Sequence, residues 1–311
     1  MAELQGTVTI LSSVLAPAFF DVLGLAALGA PVLAVASEIQ GQAQRKAFLD
    51  KFAQHVSAMG FGLLLLVLAV GGAGAALAAA RFQEIMTRLH APGSPLYAFY
   101  VALGLTLLTH GLYRCTWRLP KGAHCGLGIL ASLSSLAAIH VSLPGLRGFA
   151  PLLSPEGRNT NLVALLFPGP GSPLWPCLVQ YAALSLTLAG ALALLFLLHR
   201  RDRDNYGRDY YAFSMRRAAR WAAWSLVPVL AAQPWILFTL EPELRALVLV
   251  SSVALLWALA LVVMLTCLLL WLAVARSGSP MRLKGLMIAA GGGIWVFHSL
   301  LLAVVANLFF S

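Results

Sequence analysis

Charge is the scarcest commodity in this chain. Only 10% of its 311 residues are charged, and only 11 are aspartate or glutamate. Soluble domains carry about 25% charged residues, and a folded domain of this size cannot hide its apolar surface from water to make up the difference. A soluble enzyme, a disordered segment and a nucleic-acid-binding domain are excluded on that ground. Cysteine is scarce too. The four are Cys115, Cys125, Cys177 and Cys267. They form no C-x-x-C and no C-x-x-C-H, so neither covalently attached haem nor an iron–sulfur cluster is supported. A Cys115–Cys125 disulfide is not expected in a reducing compartment.

What is abundant is hydrocarbon. The chain is 60% hydrophobic, with a mean hydropathy of +0.85. A membrane span needs about 20 apolar residues, and eight such runs are present, at roughly 10–37, 55–80, 96–114, 125–144, 176–199, 221–240, 245–275 and 285–309. In hydrocarbon each backbone donor and acceptor must be satisfied within its own segment, so these runs predict helices and an all-α polytopic membrane protein in one integral domain. Turn chemistry separates the runs, as in APGSP (91–95) and FPGPGSP (167–173). The first run is too long, and too poor in preceding charge, for a cleaved signal peptide.

The net charge of +10 then speaks of topology rather than of a nucleic-acid partner. One set of loops holds 16 of the 21 basic residues, including all four lysines. The positive-inside rule places that set in the cytoplasm and both termini outside it. This predicts an integral protein of a bacterial inner membrane, with the lipid bilayer as its first partner. The longest non-cytoplasmic segment, about 145–175, is either a docking surface or a plain connector. The longest cytoplasmic segment, HRRDRDNYGRDYYAFSMRRAARW (199–221), reads mainly as a solvated helix extension held by anionic headgroups.

Ionisable groups inside a span are costly and face the bundle interior for a reason. The candidates are Asp21 in the first run, His55 at the start of the second, His110 in the third, His140 in the fourth and His298 in the eighth. Gln180, Gln233 and Asn307 are uncharged polar residues near helix ends. By depth, His55 and His110 can share the cytoplasmic layer, while Asp21, His140 and His298 can share the outer one. Two histidines facing each other at one depth can ligate a b-type haem, which makes His55, His110, His140 and His298 the haem-ligand candidates. No other metal site is read. A carboxylate and a histidine in a dry pocket can instead bind a quinone headgroup and move its protons, which makes Asp21 and His140 the quinone candidates. Against both stands the ordinary alternative of a histidine hydrogen-bonded to a neighbouring helix. His90, His124 and His199 fall in loops or at boundaries and read as solvated.

Several stretches carry a resemblance. The junction WRLPKGAHCGLGILASLSSLAAIHV (117–141) has a basic turn, a following histidine and a Ser/Ala-rich helix. The stretch LGAPVLAVASEIQGQAQRKAFLDKFAQHVSAMGFGLLLLVLAVGG (28–72) runs from a glycine through an apolar segment to Glu38. It then crosses a short basic connection into a glycine-bearing helix. The run AGALALLFLL (189–198) is followed by GRDYYAFSMRRAARWAA (207–223). In this order, over roughly residues 10–225, the chain resembles subunit I of the cytochrome bd quinol oxidases and their shortened relatives. The resemblance implies an N-terminal four-helix bundle and a place in respiratory electron transfer.

The family's functional residues mostly do not carry over. Phe20 stands where the resemblance puts a haem-ligating histidine in the first helix, and Gln180 or Tyr181 where it puts another in the fifth. LTLLTHG (105–111) lacks the family's buried glutamate, and Met264 is only a loose counterpart of its axial methionine. The family's quinol-binding loop is reduced here to TLEPELR (239–245). Glutamine and tyrosine bind haem iron poorly, and phenylalanine not at all. Three readings follow. The first is a membrane subunit of a respiratory electron-transfer complex that is not itself an oxygen reductase, partnered on its outer face by a cytochrome or iron–sulfur protein. The second is a cofactor-free anchor for a redox partner. The third is a transporter or channel, for which no inverted repeat is evident. The GGG at 291–293 is the one place where a helix could kink, with close packing as the alternative.

Overall fold

The computed structural model describes residues 2–90, 94–153, 162–204, 206–250 and 252–310. Its regular structure there is helical throughout: α1 (Ala2–Gln44), α2 (Ala47–Arg81), α3 (Gln83–Leu89), α4 (Pro95–Cys115), α5 (Lys121–Leu153), α6 (Leu162–Leu166), α7 (Leu174–Arg200), α8 (Gly207–Thr239), α9 (Pro242–Val250), α10 (Ser252–Arg276) and α11 (Lys284–Phe310). Eight of these, α1, α2, α4, α5, α7, α8, α10 and α11, are long and apolar enough to cross a membrane.

The helices form two four-membered groups. α1, α2, α4 and α5 make the first, and α7, α8, α10 and α11 the second. Helix α1 joins them, since it packs on α2 and α5 within its own group and on α7 and α11 of the other. Lipid offers no hydrophobic drive for helix association, so close contact between small residues must do that work. The α1–α7 seam shows how. A Cβ built on Gly29 would collide with the backbone carbonyl of Ser185. The GGG run is settled in the same way. α11 continues unbroken through it, Gly291 lies against Leu195 of α7, and Gly293 lies against Cys267 of α10. Packing, not a kink, explains those glycines.

Several elements begin or end elsewhere than hydropathy predicts. α2 starts at Ala47 rather than 55, so His55 lies two turns inside a helix. α5 starts at Lys121 rather than 125, which brings His124 into the helix. α8 starts at Gly207, and Tyr210, Tyr211, Ser214 and Met215 are buried in it. That part of the segment 199–221 is packed rather than solvated. The seventh run, read as one helix over 245–275, falls on α9 and α10, between which residue 251 lies outside the described ones. The outer segment read as a loop over 145–175 carries the end of α5 and the short α6, while its residues 154–161 lie outside the described ones. These differences share one cause. Hydropathy marks only the apolar middle of a helix, whereas backbone hydrogen bonding continues into polar flanks.

Replacing Gly29 by alanine should cost roughly 1–3 kcal/mol through overpacking. Thermal unfolding in detergent checks this. Gly72→Ala, where nothing lies within 4 Å of the added carbon, should leave the midpoint unchanged. Equal midpoints for the two variants would contradict the close-contact account of the α1–α7 seam.

Candidate functional site

The polar groups inside the bundle sort into three centres. The deepest lies at the end of α1 that faces the basic loops. Glu38 is 0% exposed. One of its oxygens accepts from the Tyr113 hydroxyl at 3.0 Å, and both face Nδ1 of His124 at 2.8 and 2.9 Å. Nε2 of His124 lies 3.0 Å from the Tyr113 carbonyl. A carbonyl can only accept, so Nε2 carries hydrogen. One further proton must then sit between Nδ1 and Glu38. Wherever it resides, the pair is neutral overall, which is the form hydrocarbon tolerates. The rings of Trp117 and Tyr113 cover His124 at centroid distances of 4.2 and 4.6 Å. Lys121, at 3.5 Å from Glu38 and 3.2 Å from Asp50, leads from the pair to the surface. His124 is thus buried, not solvated as its place near a loop suggests. A sequence signal was present. Glu38 inside a span requires a partner at its own depth, and His124 follows the basic turn that returns the chain to that depth.

The second centre surrounds His55 on α2. Tyr210 donates to Nδ1 at 2.7 Å, and Nε2 faces Asp204 at 3.4 Å. Arg200 donates to the same carboxylate at 2.8 Å. The rings of Phe196, Tyr206 and Tyr210 enclose the imidazole edge-on. Both nitrogens of His55 are therefore engaged.

The third centre lies about 17 residues back along α1 from Glu38, roughly 25 Å at 1.5 Å per residue. Asp21 and His298 meet there, with Nε2 of His298 3.4 Å from the Asp21 carboxylate. The histidine side chain is 1% exposed, while that of Asp21 is 48% exposed and open at the outer surface of the bundle. Nδ1 of His298 is buried without a hydrogen-bond partner, and Tyr181 approaches the ring edge-on at 6.2 Å. Next to the pair, Trp295 packs on Phe19 and donates to the Leu15 carbonyl at 3.0 Å. Indoles commonly mark the level of the headgroups.

Of the predicted outer layer, then, Asp21 and His298 come together and His140 does not. His140 stacks near Trp175 and Phe167, at 6.2 and 5.5 Å. Neither of its ring nitrogens has a hydrogen-bond partner. His55 and His110, read at one depth, have different surroundings. His110 is fully buried against Phe61 and the backbone of α2, where a Cβ on Gly60 would lie 3.1 Å from its ring.

The haem expectation can be tested on this geometry. Both nitrogens of His55 are engaged, and His110, with no hydrogen-bond partner at either nitrogen, is buried beside Phe61 and Gly60. Gln180, standing where the resemblance puts a haem ligand, accepts instead from Gln233 at 2.7 Å, and Trp257 donates to the Gln233 oxygen at 3.0 Å. Backbone contact at Gly29 and Ser185 closes the α1–α7 seam. Two cavities among the described residues hold about 400 and 330 Å³, near the low end for ligand pockets. The first is lined by no histidine, and the second only by the engaged His55. At neither of these two cavities do the residues fit a haem. Cys115, Cys125 and Cys267 form no disulfide.

Comparison with known proteins agrees on the scaffold. No protein-family model and no curated protein matches the chain. Among solved structures, the bd oxidase from Geobacillus thermodenitrificans is similar, with a TM-score of 0.70 over 97% of this chain and 86% of that one, at 12% sequence identity. The likeness is one of fold. It extends well past residues 10–225, where the sequence motifs lie. The chain is an integral membrane protein with a bd-oxidase-like fold.

Glu38→Ala should cost about 3–5 kcal/mol, because it leaves His124 and Tyr113 buried without their acceptor. Glu38→Gln, which keeps one acceptor, should cost less. Unfolding midpoints of the two variants in detergent check the order. An unchanged midpoint for Glu38→Ala would contradict the role given to the pair.

Proposed function

We propose that the chain is a membrane subunit of a respiratory electron-transfer complex, that it meets quinone at Asp21 and His298, and that it does not itself reduce oxygen. The carrying observation is the half-exposed carboxylate of Asp21 on the bundle's outer surface, held by a buried histidine. A carboxylate facing hydrocarbon is costly unless something polar covers it. A quinone headgroup diffusing in the bilayer reaches that position from the side. Its hydroxyl matches the carboxylate acceptor, which Nε2 of His298 holds at 3.4 Å. In this reading a quinol is oxidised to quinone, and its two hydroxyl protons leave one after the other through Asp21 to the outer aqueous face. His298 orients the carboxylate, and the electrons pass to a partner cytochrome or iron–sulfur protein on the outer face. The shared fold with a bd oxidase supports the respiratory setting, and the misfit of the histidines to haem supports the non-oxidase role. The inner membrane of a bacterium is the setting this assigns.

The test is binding of a photoreactive quinone analogue to the purified protein. Crosslinks should map to α1 near Asp21 and α11 near His298. Asp21→Asn and His298→Ala should each weaken binding about tenfold, a loss of order 1.4 kcal/mol, while His140→Ala should not. Undiminished binding in both variants would overturn the assignment and leave a cofactor-free anchor as the reading.

A further inference from the structure

At the basic end of the bundle, the cavity of about 330 Å³ opens between α2, α4, α7 and the start of α8. Three cations line it: Lys51, Arg114 and Arg200. Arg200 is committed to Asp204. Lys51 donates to Gln54 at 3.2 Å and lies 4.2 Å over the Tyr206 ring, with no carboxylate of its own. Arg114 has no hydrogen bond or ion pair among the described residues. Trp117 also lines the cavity, and its Nε1–H is buried with no acceptor. Arg114 and Arg200 stand in the last turns of their helices, where cations complement the helix dipole. The dipole explains their place on each helix. It does not explain why two unneutralised cations and an orphan indole donor converge on one concave space.

An anion with several acceptor oxygens completes this set. Guanidinium binds such a group through two parallel N–H bonds, ammonium binds it as a point charge, and the indole adds a neutral donor. Phe196 and Tyr206 supply an apolar wall beside it. Basic pockets between spanning helices at the cytoplasmic face suit phospholipid headgroups. We infer that this cavity is a binding site for a phosphoryl group, held by Lys51, Arg114 and Trp117, and supplied by the headgroup of an anionic phospholipid or by a soluble phosphate compound. The site lies at the opposite end of the bundle from Asp21 and His298 and does not depend on their role.

The experiment is native mass spectrometry of the delipidated full chain in detergent, titrated with phosphatidylglycerol, with phosphatidylcholine, and with inorganic phosphate. The unaltered protein should prefer the anionic lipid over phosphatidylcholine by about tenfold, in keeping with the contribution of basic residues at a membrane surface. Lys51→Gln with Arg114→Gln should abolish the preference. Arg208→Gln, an exposed cation outside the cavity, should retain it. Arg114→Lys, which keeps the charge, serves where the double variant fails to fold, and should bind more weakly than the unaltered protein while keeping some preference. Displacement of the lipid by millimolar inorganic phosphate would make a soluble phosphate the source, and its failure to displace would make it the lipid. Equal binding of the two lipids, or an undiminished preference in the folded double variant, would overturn the site.

Discussion

Helix α1 reaches α7 only because residue 29 has no side chain. The rest of the architecture depends on that approach. α1 packs on both four-helix groups, as α7 does, and at Gly29 its backbone meets the carbonyl of Ser185 directly. In a bilayer such contact replaces the hydrophobic drive of a soluble core. The same helix carries Asp21 towards one end of the bundle and Glu38 towards the other.

Polar groups inside hydrocarbon are costly unless satisfied, and this chain pairs several of them across helices. Glu38 of α1 meets His124 of α5 and Tyr113 of α4. His55 of α2 meets Tyr210 of α8. Gln180 of α7 meets Gln233 of α8, which meets Trp257 of α10. Each of these sets closes on itself. Asp21 and His298 do not close, since the carboxylate remains open on the outer surface.

The architecture was legible because hydropathy alone counts eight spans, and the positions of Gly, Pro and basic residues mark their limits. Pairing was less legible. Depth along the sequence groups residues into layers but says nothing of which way each one faces. His140 and Asp21 share a layer by depth, yet His140 turns towards Trp175 and Asp21 towards His298. His124 was misread because hydropathy starts its helix at 125, whereas the helix includes Lys121. Residues within a turn of a span end look solvated in a window average even when their side chains point inward. The motifs around Glu38 and the basic turn pointed to the scaffold, and the replaced residues at 20 and 180 pointed away from haem. The fold shared with a bd oxidase bears out the scaffold, and Gln180 hydrogen-bonds Gln233.

The central claim is a bd-oxidase-like scaffold without a haem centre of its own. A dithionite-reduced minus oxidised visible spectrum of the purified chain, with a pyridine haemochrome assay beside it, tests this most directly. The account predicts a flat spectrum from well-folded protein. A haem b signal near one per chain would contradict it and would require one of His110, His140 and His298 to turn a nitrogen towards iron.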